Sequence, residues 1–107
     1  MALPQSYAPV SQANDVYNAP TVTTSRPNQT VLATSARIIN IIGGSVNIAT
    51  TGISLNWQIL VLCTGGVTAT VVADGGATQI GGSNAPQTVK PGTFLSLIWN
   101  GTGFNLQ

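Results

Sequence analysis

Charged residues are few in this chain of 107 residues, and histidine is absent. Three basic and two acidic residues give a net charge of +1, whereas about a quarter of the residues of a globular domain are usually charged. Acid–base catalysis and metal binding draw mainly on histidine, carboxylates and thiolates. Because these side chains are so scarce, the sequence argues against an enzyme. It predicts no catalytic residue, no metal site and no cofactor.

Other scarcities exclude further classes of function. The three basic residues are scattered, so nothing predicts a surface that neutralises a row of phosphates, and a nucleic-acid partner is not expected. The longest apolar run, Ile59–Cys63, is far shorter than the ~20 residues that span a bilayer, so no membrane partner is expected either. The first residues lack the basic start and apolar stretch of a signal peptide, which predicts synthesis in the cytoplasm. Cys63, the single cysteine, is expected to be a small buried apolar residue.

Composition divides the chain into an arm, 1–28, and a head, 29–107. The arm holds four of the six prolines and both tyrosines but no glycine, and proline favours extended backbone. Two interpretations stay open: a flexible leader, or an arm that docks on a partner. In the second, the apolar and aromatic side chains spaced along the arm are the anchors, namely Tyr7, Val10, Val16 and Tyr17.

The head alternates short runs of Val, Ile, Thr and aromatic residues with Gly, Asn and Ser, a pattern typical of all-β proteins. It predicts a small antiparallel β-sandwich or a jelly-roll-like domain, with helix essentially absent. The predicted strands are Thr30–Ala33, Ala36–Ile42, Ser45–Ala49, Leu55–Leu62, Val67–Ala73, Thr78–Ile80, Gln87–Val89, Thr93–Trp99 and Phe104–Leu106. The glycine-rich connections between them are predicted to be mostly hairpin turns, with the aspartate of Asp74-Gly75 forming one of them.

Several of the predicted strands are apolar on both faces, which indicates burial on both sides. A head of about 80 residues cannot easily cover two apolar faces on several strands, so part of this surface is expected to lie between subunits. The predicted oligomer interface consists of Ile39, Ile41, Leu60, Leu62, Phe94 and Ile98. The alternative is a compact sandwich that covers its own faces. Trp57 and Trp99 lie on apolar strands, and packing is favoured for them over a carbohydrate platform.

The stretch Lys90–Phe104 resembles the closing hairpin of small β-rich domains in bacteriophage virion proteins. Gly92, Leu97, Gly101 and Phe104 stand in roughly the places that this loose pattern requires. A weakly charged head behind an extended arm is also similar in plan to capsid decoration (cement) proteins and to the tips of head or tail fibres. The resemblance implies a homotrimer on the virion surface whose partner is the major capsid protein or another virion protein.

Two functions follow from this resemblance as expectations. In the first, the arm binds the capsid surface and the trimeric head stabilises the shell. In the second, the chain is a receptor-binding fibre tip, and loops at Gly43–Ser45 and Gly81–Ala85 contact a host-surface glycan. The sequence shows neither heptads nor internal repeats, which favours a short decoration protein over a complete fibre. A small enzyme or lectin unrelated to virions is the third and least favoured hypothesis.

Overall fold

Two β-sheets make up residues 20–107, the part of the chain that this computed structural model describes. The elements are nine strands and two short 3₁₀ turns (η): β1 Thr21–Thr24, β2 Gln29–Leu32, η1 Ala33–Ser35, β3 Ile38–Ile41, β4 Ser45–Ala49, β5 Gln58–Cys63, β6 Ala69–Ala73, η2 Asp74–Gly76, β7 Gln87–Val89, β8 Phe94–Trp99 and β9 Phe104–Leu106. Sheet A has five strands in the order β1-β3-β5-β8-β9, and sheet B has four in the order β2-β4-β6-β7.

The first six strands wind alternately through the two sheets, so that each successive pair forms one coil. Within sheet A, β1, β3 and β5 are parallel neighbours, and within sheet B, β2, β4 and β6 are parallel neighbours. Thr21 pairs with Ile38 and Gln29 with Val46, an offset of 17 residues in both sheets. The coil is therefore a structural repeat of the described chain. The sequence does not reveal it, because parallel pairing requires only that side chains alternate between inward and outward positions and does not require the same residues in each coil.

The last three strands close the sheets with antiparallel pairs. β7 pairs with β6, β8 pairs with β5, and β9 pairs with β8. Both sheets are therefore mixed, and the prediction of an antiparallel sandwich or jelly roll is wrong in its strand directions, since a jelly roll is built from antiparallel strands. The prediction of a mostly β fold with two sheets is confirmed.

Inward side chains of both sheets form one apolar core. Parallel register stacks them in ladders from coil to coil, such as Val22–Ile39–Val61 in sheet A. Ile39 and Ile41 are fully buried in this core. Their assignment to an oligomer interface is therefore wrong, because alternation along β3 directs them toward sheet B and turns Ile38 outward.

The boundary predicted between residues 28 and 29 falls after the first strand. β1 lies within the predicted arm, yet it pairs with β3 along its whole length and buries Thr24. Its β-branched residues suit a strand. Pro20 precedes it and needs no N–H there, while its carbonyl accepts hydrogen bonds from the backbone N–H groups of Arg37 (2.9 Å) and Ile38 (3.1 Å). Residues 20–28 are thus part of the two-sheet fold.

Candidate association surface

The solvent-facing side of sheet A carries a continuous group of apolar side chains, here called the apolar patch. Register places four of its members in pairs: Ile38 opposite Leu60 on β5, and Leu62 opposite Phe94 on β8. Ile98 lies diagonally across from Leu60 and directly opposite Gln58. Phe94 is 61% exposed, and the others are half-buried. The patch consists of Ile38, Leu60, Leu62, Phe94 and Ile98.

Polar side chains surround the apolar patch. Asn40 and Ser96 lie beside it on β3 and β8, while the edge strands contribute Thr21 and Thr23 on one side and Asn105 on the other. Among residues 20–107, no charged side chain lies on this outward face, because the charged residues occupy turns or, for Arg37, pack on an indole ring. Ser96 also lies directly opposite Leu60, and the exposed Gln58 of β5 lies opposite Ile98. The result is an uncharged face on which apolar side chains are mixed with polar ones.

Four residues of the predicted interface belong to this patch: Leu60, Leu62, Phe94 and Ile98. Ile38 is the member that the prediction missed. The signal was present in the sequence, because Ile38 shares its face of the strand with Asn40, and a polar residue marks the outward face of a strand with apolar residues on both sides.

The outward face of sheet B is mainly polar. The Thr30 hydroxyl lies 3.5 Å from the Asn47 side-chain nitrogen, and the Asn47 oxygen accepts a 2.7 Å hydrogen bond from the Gly75 backbone N–H. Ser45 donates to the Asn28 side-chain oxygen (2.8 Å) and accepts from the Asn28 N–H (3.0 Å). Two apolar side chains also lie there, the half-buried Val72 and the exposed Leu32. The two sheets therefore present solvent-facing sides of different polarity.

Both tryptophans are half-buried and pack against the core. The Arg37 guanidinium carbon lies 4.2 Å from the centre of the Trp57 ring, and the Trp57 indole N–H donates to the Ala36 carbonyl at 3.2 Å. Trp99 meets Phe104 edge to face, with 5.1 Å between ring centres. Arg37 occupies one face of the Trp57 ring, a face that a sugar ring would need.

Asp74 connects the turn after β6 to the segment after β4 by hydrogen bonds. Its carboxylate accepts hydrogen bonds from the Thr50 backbone N–H (3.0 Å) and from the Thr50 and Thr78 hydroxyls. Partial burial raises the pKa of this carboxyl, but the hydrogen bonds outweigh burial, and the pKa lies below its ordinary value. All three hydrogen bonds connect parts of the folded chain, so Asp74 acts as a structural residue of the turn. This agrees with its predicted place in a turn.

The two loops predicted to contact a glycan pack on different elements. Gly44 lies against the backbone of Arg26 and Pro27 in the turn between β1 and β2, and Gly81 lies against Leu106 of β9. The predicted arm anchors Tyr7, Val10, Val16 and Tyr17 lie outside the described residues.

Within residues 20–107, no group of three or more His, Cys, Asp or Glu side chains is placed to hold a metal ion. No helix in this part of the chain has the length and apolarity to cross a membrane. No protein-family model, curated protein or solved structure matches the chain. The apolar patch is the candidate association surface of residues 20–107.

Proposed function

We propose that this chain is a structural, non-enzymatic protein of a virion, a capsid decoration protein located on the virion surface. The segment before β1 binds the major capsid protein or another virion protein, and the two-sheet head associates with itself as a homotrimer. The association stabilises the shell by bridging neighbouring capsid subunits, so that rupture must break additional contacts. Attachment by three segments at once strengthens binding through avidity.

The observation that carries the structural role is the apolar patch of sheet A. An uncharged apolar surface in the middle of a sheet is costly to leave in water, and burial contributes about 25 cal/mol per Å² of apolar area. Assembly proteins gain from such a surface. The virion context rests on the resemblance of Lys90–Phe104 to phage virion domains.

The receptor-binding tip remains the second candidate from the sequence, but the geometry favours decoration. A glycan site usually offers an aromatic face beside polar groups. Trp57 is instead covered on one face by Arg37, and the exposed aromatic ring within residues 20–107, Phe94, belongs to the apolar patch.

Quantitative mass spectrometry of the virions encoded by the same genome tests the proposal. After capsids are separated from tails, we expect the full-length chain to sediment with the capsids in many copies per shell. The Tyr7→Ser/Tyr17→Ser variant removes two proposed anchors that lie outside the described residues and should reduce this binding, whereas circular dichroism should show that the two-sheet fold is retained. Recovery of the chain only with tails or fibres would contradict decoration and favour the receptor-binding tip.

A further inference from the structure

We infer that the outward face of sheet A packs against the same face of two further copies of this chain around a threefold axis, with Leu60 near the axis. This inference deepens the proposed function, on which it rests, by naming the surface that self-association uses. The apolar patch is its centre.

Position within the sheet supports this assignment. β5 is the middle strand of the five, and Leu60 lies opposite Ile38 on one neighbour and Ser96 on the other. The apolar patch therefore lies on the central strands β3, β5 and β8, while the outward residues of edge strands β1 and β9 are polar. Ser96, Gln58 and Asn40 lie among the patch residues on the same strands. The face therefore combines apolar contacts with neutral hydrogen-bonding groups, as specific protein interfaces do.

Charge decides what kind of partner fits. Within residues 20–107, the outward face of sheet A offers no charge to pair with a charged partner, so burying an ionic surface against it would leave the partner's charges uncompensated. A second copy brings an uncharged apolar face of the same width. The face is thus complementary to itself in charge and polarity.

Dimensions are compatible with three copies. Five strands spaced by about 4.8 Å make a face about 19 Å wide between its edge strands. Three such faces closed into a triangle place the middle of each sheet about 5.5 Å from the axis, given the strand spacing above. Packed sheets lie about 10 Å apart, so each stands about 5 Å from the midplane between them. Side chains of the size of Leu and Phe therefore fill the centre of the triangle.

Lysine substitutions in the full-length chain test the surface. Phe94→Lys changes a side chain that is already 61% exposed, so the fold should tolerate it, and Leu60→Lys places three ammonium groups near the axis. Leu32→Lys is the matched control, because Leu32 is 56% exposed on the outward face of sheet B. Light scattering gives the mass, and circular dichroism checks that each variant is folded.

The expected wild-type mass is that of three copies of the 10.9 kDa chain. Phe94→Lys or Leu60→Lys should reduce this mass threefold while leaving the β spectrum unchanged, and Leu32→Lys should remain trimeric. If folded Phe94→Lys and Leu60→Lys both stay trimeric, the surface assignment is overturned while the homotrimer of the proposed function stands. A dimeric wild type overturns the threefold arrangement. A monomeric wild type overturns both the surface and self-association.

Discussion

Gly65 lies directly against the backbone of Ile42, so that a Cβ on Gly65 would be 1.7 Å from the Ile42 carbonyl oxygen. The same turn is bonded to β3 through the backbone, since the Thr64 N–H donates to the Ile41 carbonyl at 3.0 Å. No flexible side chain separates the two segments at this point. The absence of a Cβ at residue 65 therefore permits the third coil to pack on the second as the chain leaves β5.

Gly65→Ala should destabilise the protein strongly. The added methyl group would meet backbone atoms that cannot rotate away, and overpacking of this kind costs about 1–3 kcal/mol. Gly66→Ala is the matched control, because a Cβ there meets nothing within 4 Å. We expect it to be neutral or slightly stabilising. Urea unfolding of the two variants measures the difference, and equal stabilities would show that the close approach at Gly65 is not required.

Stability should fall in acid because of Asp74. Its folded pKa lies below the ordinary value, so in acid the unfolded chain takes up a proton more readily than the folded one. The stabilisation is complete above the unfolded pKa of about 3.9 and is lost as the pH falls through the folded pKa. The free energy of unfolding should therefore decline below about pH 4.

Asp74→Asn should remove most of this acid dependence and cost about 1 kcal/mol at neutral pH, since charge-assisted hydrogen bonds from Thr50 and Thr78 are lost. Asn tolerates the positive φ of 50° at this position, so backbone strain is not added. Asp15→Asn changes the other acidic side chain of the sequence and serves as the control. An acid decline that persists in Asp74→Asn and disappears in Asp15→Asn would contradict the assignment.

Local pattern predicted the strands better than it predicted their partners. The bounds of Ser45–Ala49, Gln87–Val89 and Phe104–Leu106 are confirmed, because alternation and flanking turn residues are local signals. Thr78–Ile80 forms only isolated bridges, and β1 was missed because prolines flank it. The alternation of a strand is the same whether its neighbour is parallel or antiparallel, so it could not give strand direction.

A glycine-rich turn can join two neighbouring strands of one sheet or carry the chain from one sheet to the other, and the sequence does not distinguish the two cases. Gly44 has a φ of +82°, which suits a hairpin, yet here the Gly43-Gly44 corner carries the chain from sheet A to sheet B. The candidate surface was predicted in part for a similar reason. Periodicity alone found the two faces of β3 but did not tell which of them faces the other sheet. The polar Asn40, which marks the outward face, was not used, and so Ile39 and Ile41 were assigned to the wrong side.

Neighbouring isoleucines of β3 should respond very differently to truncation. Ile39→Ala opens a cavity in the core and should cost about 2–5 kcal/mol. Ile38→Ala removes a half-buried side chain from the apolar patch and should cost about 1 kcal/mol or less in the isolated subunit.

Unfolding in denaturant at several protein concentrations separates the two effects. Ile39→Ala should lower stability at every concentration because it weakens each subunit. Ile38→Ala should act mainly through association, so its effect should depend on concentration. A larger loss for Ile38→Ala than for Ile39→Ala under dissociating conditions would invert the assignment of the two faces.

Asn100 organises the turn between β8 and β9 as a hydrogen-bond acceptor. Its side-chain oxygen accepts from the backbone N–H groups of Thr102 and Gly103, both at 2.9 Å, and its side-chain nitrogen donates to Asn105 at 2.9 Å. Asn100→Ala should cost about 1 kcal/mol, since two backbone donors lose their partner, one at the exposed Thr102 and the other at the buried Gly103.

Asn100→Asp distinguishes the acceptor from the donor. A carboxylate keeps the two backbone hydrogen bonds and suits this kind of turn, whereas the donor toward Asn105 is lost. We therefore expect Asn100→Asp to retain nearly the wild-type melting temperature and Asn100→Ala to melt several degrees lower, as a change of about 1 kcal/mol implies for a domain of this size. If Asn100→Asp instead has the same lowered melting temperature as Asn100→Ala, the hydrogen bond to Asn105, and not the two hydrogen bonds within the turn, would be the stabilising interaction.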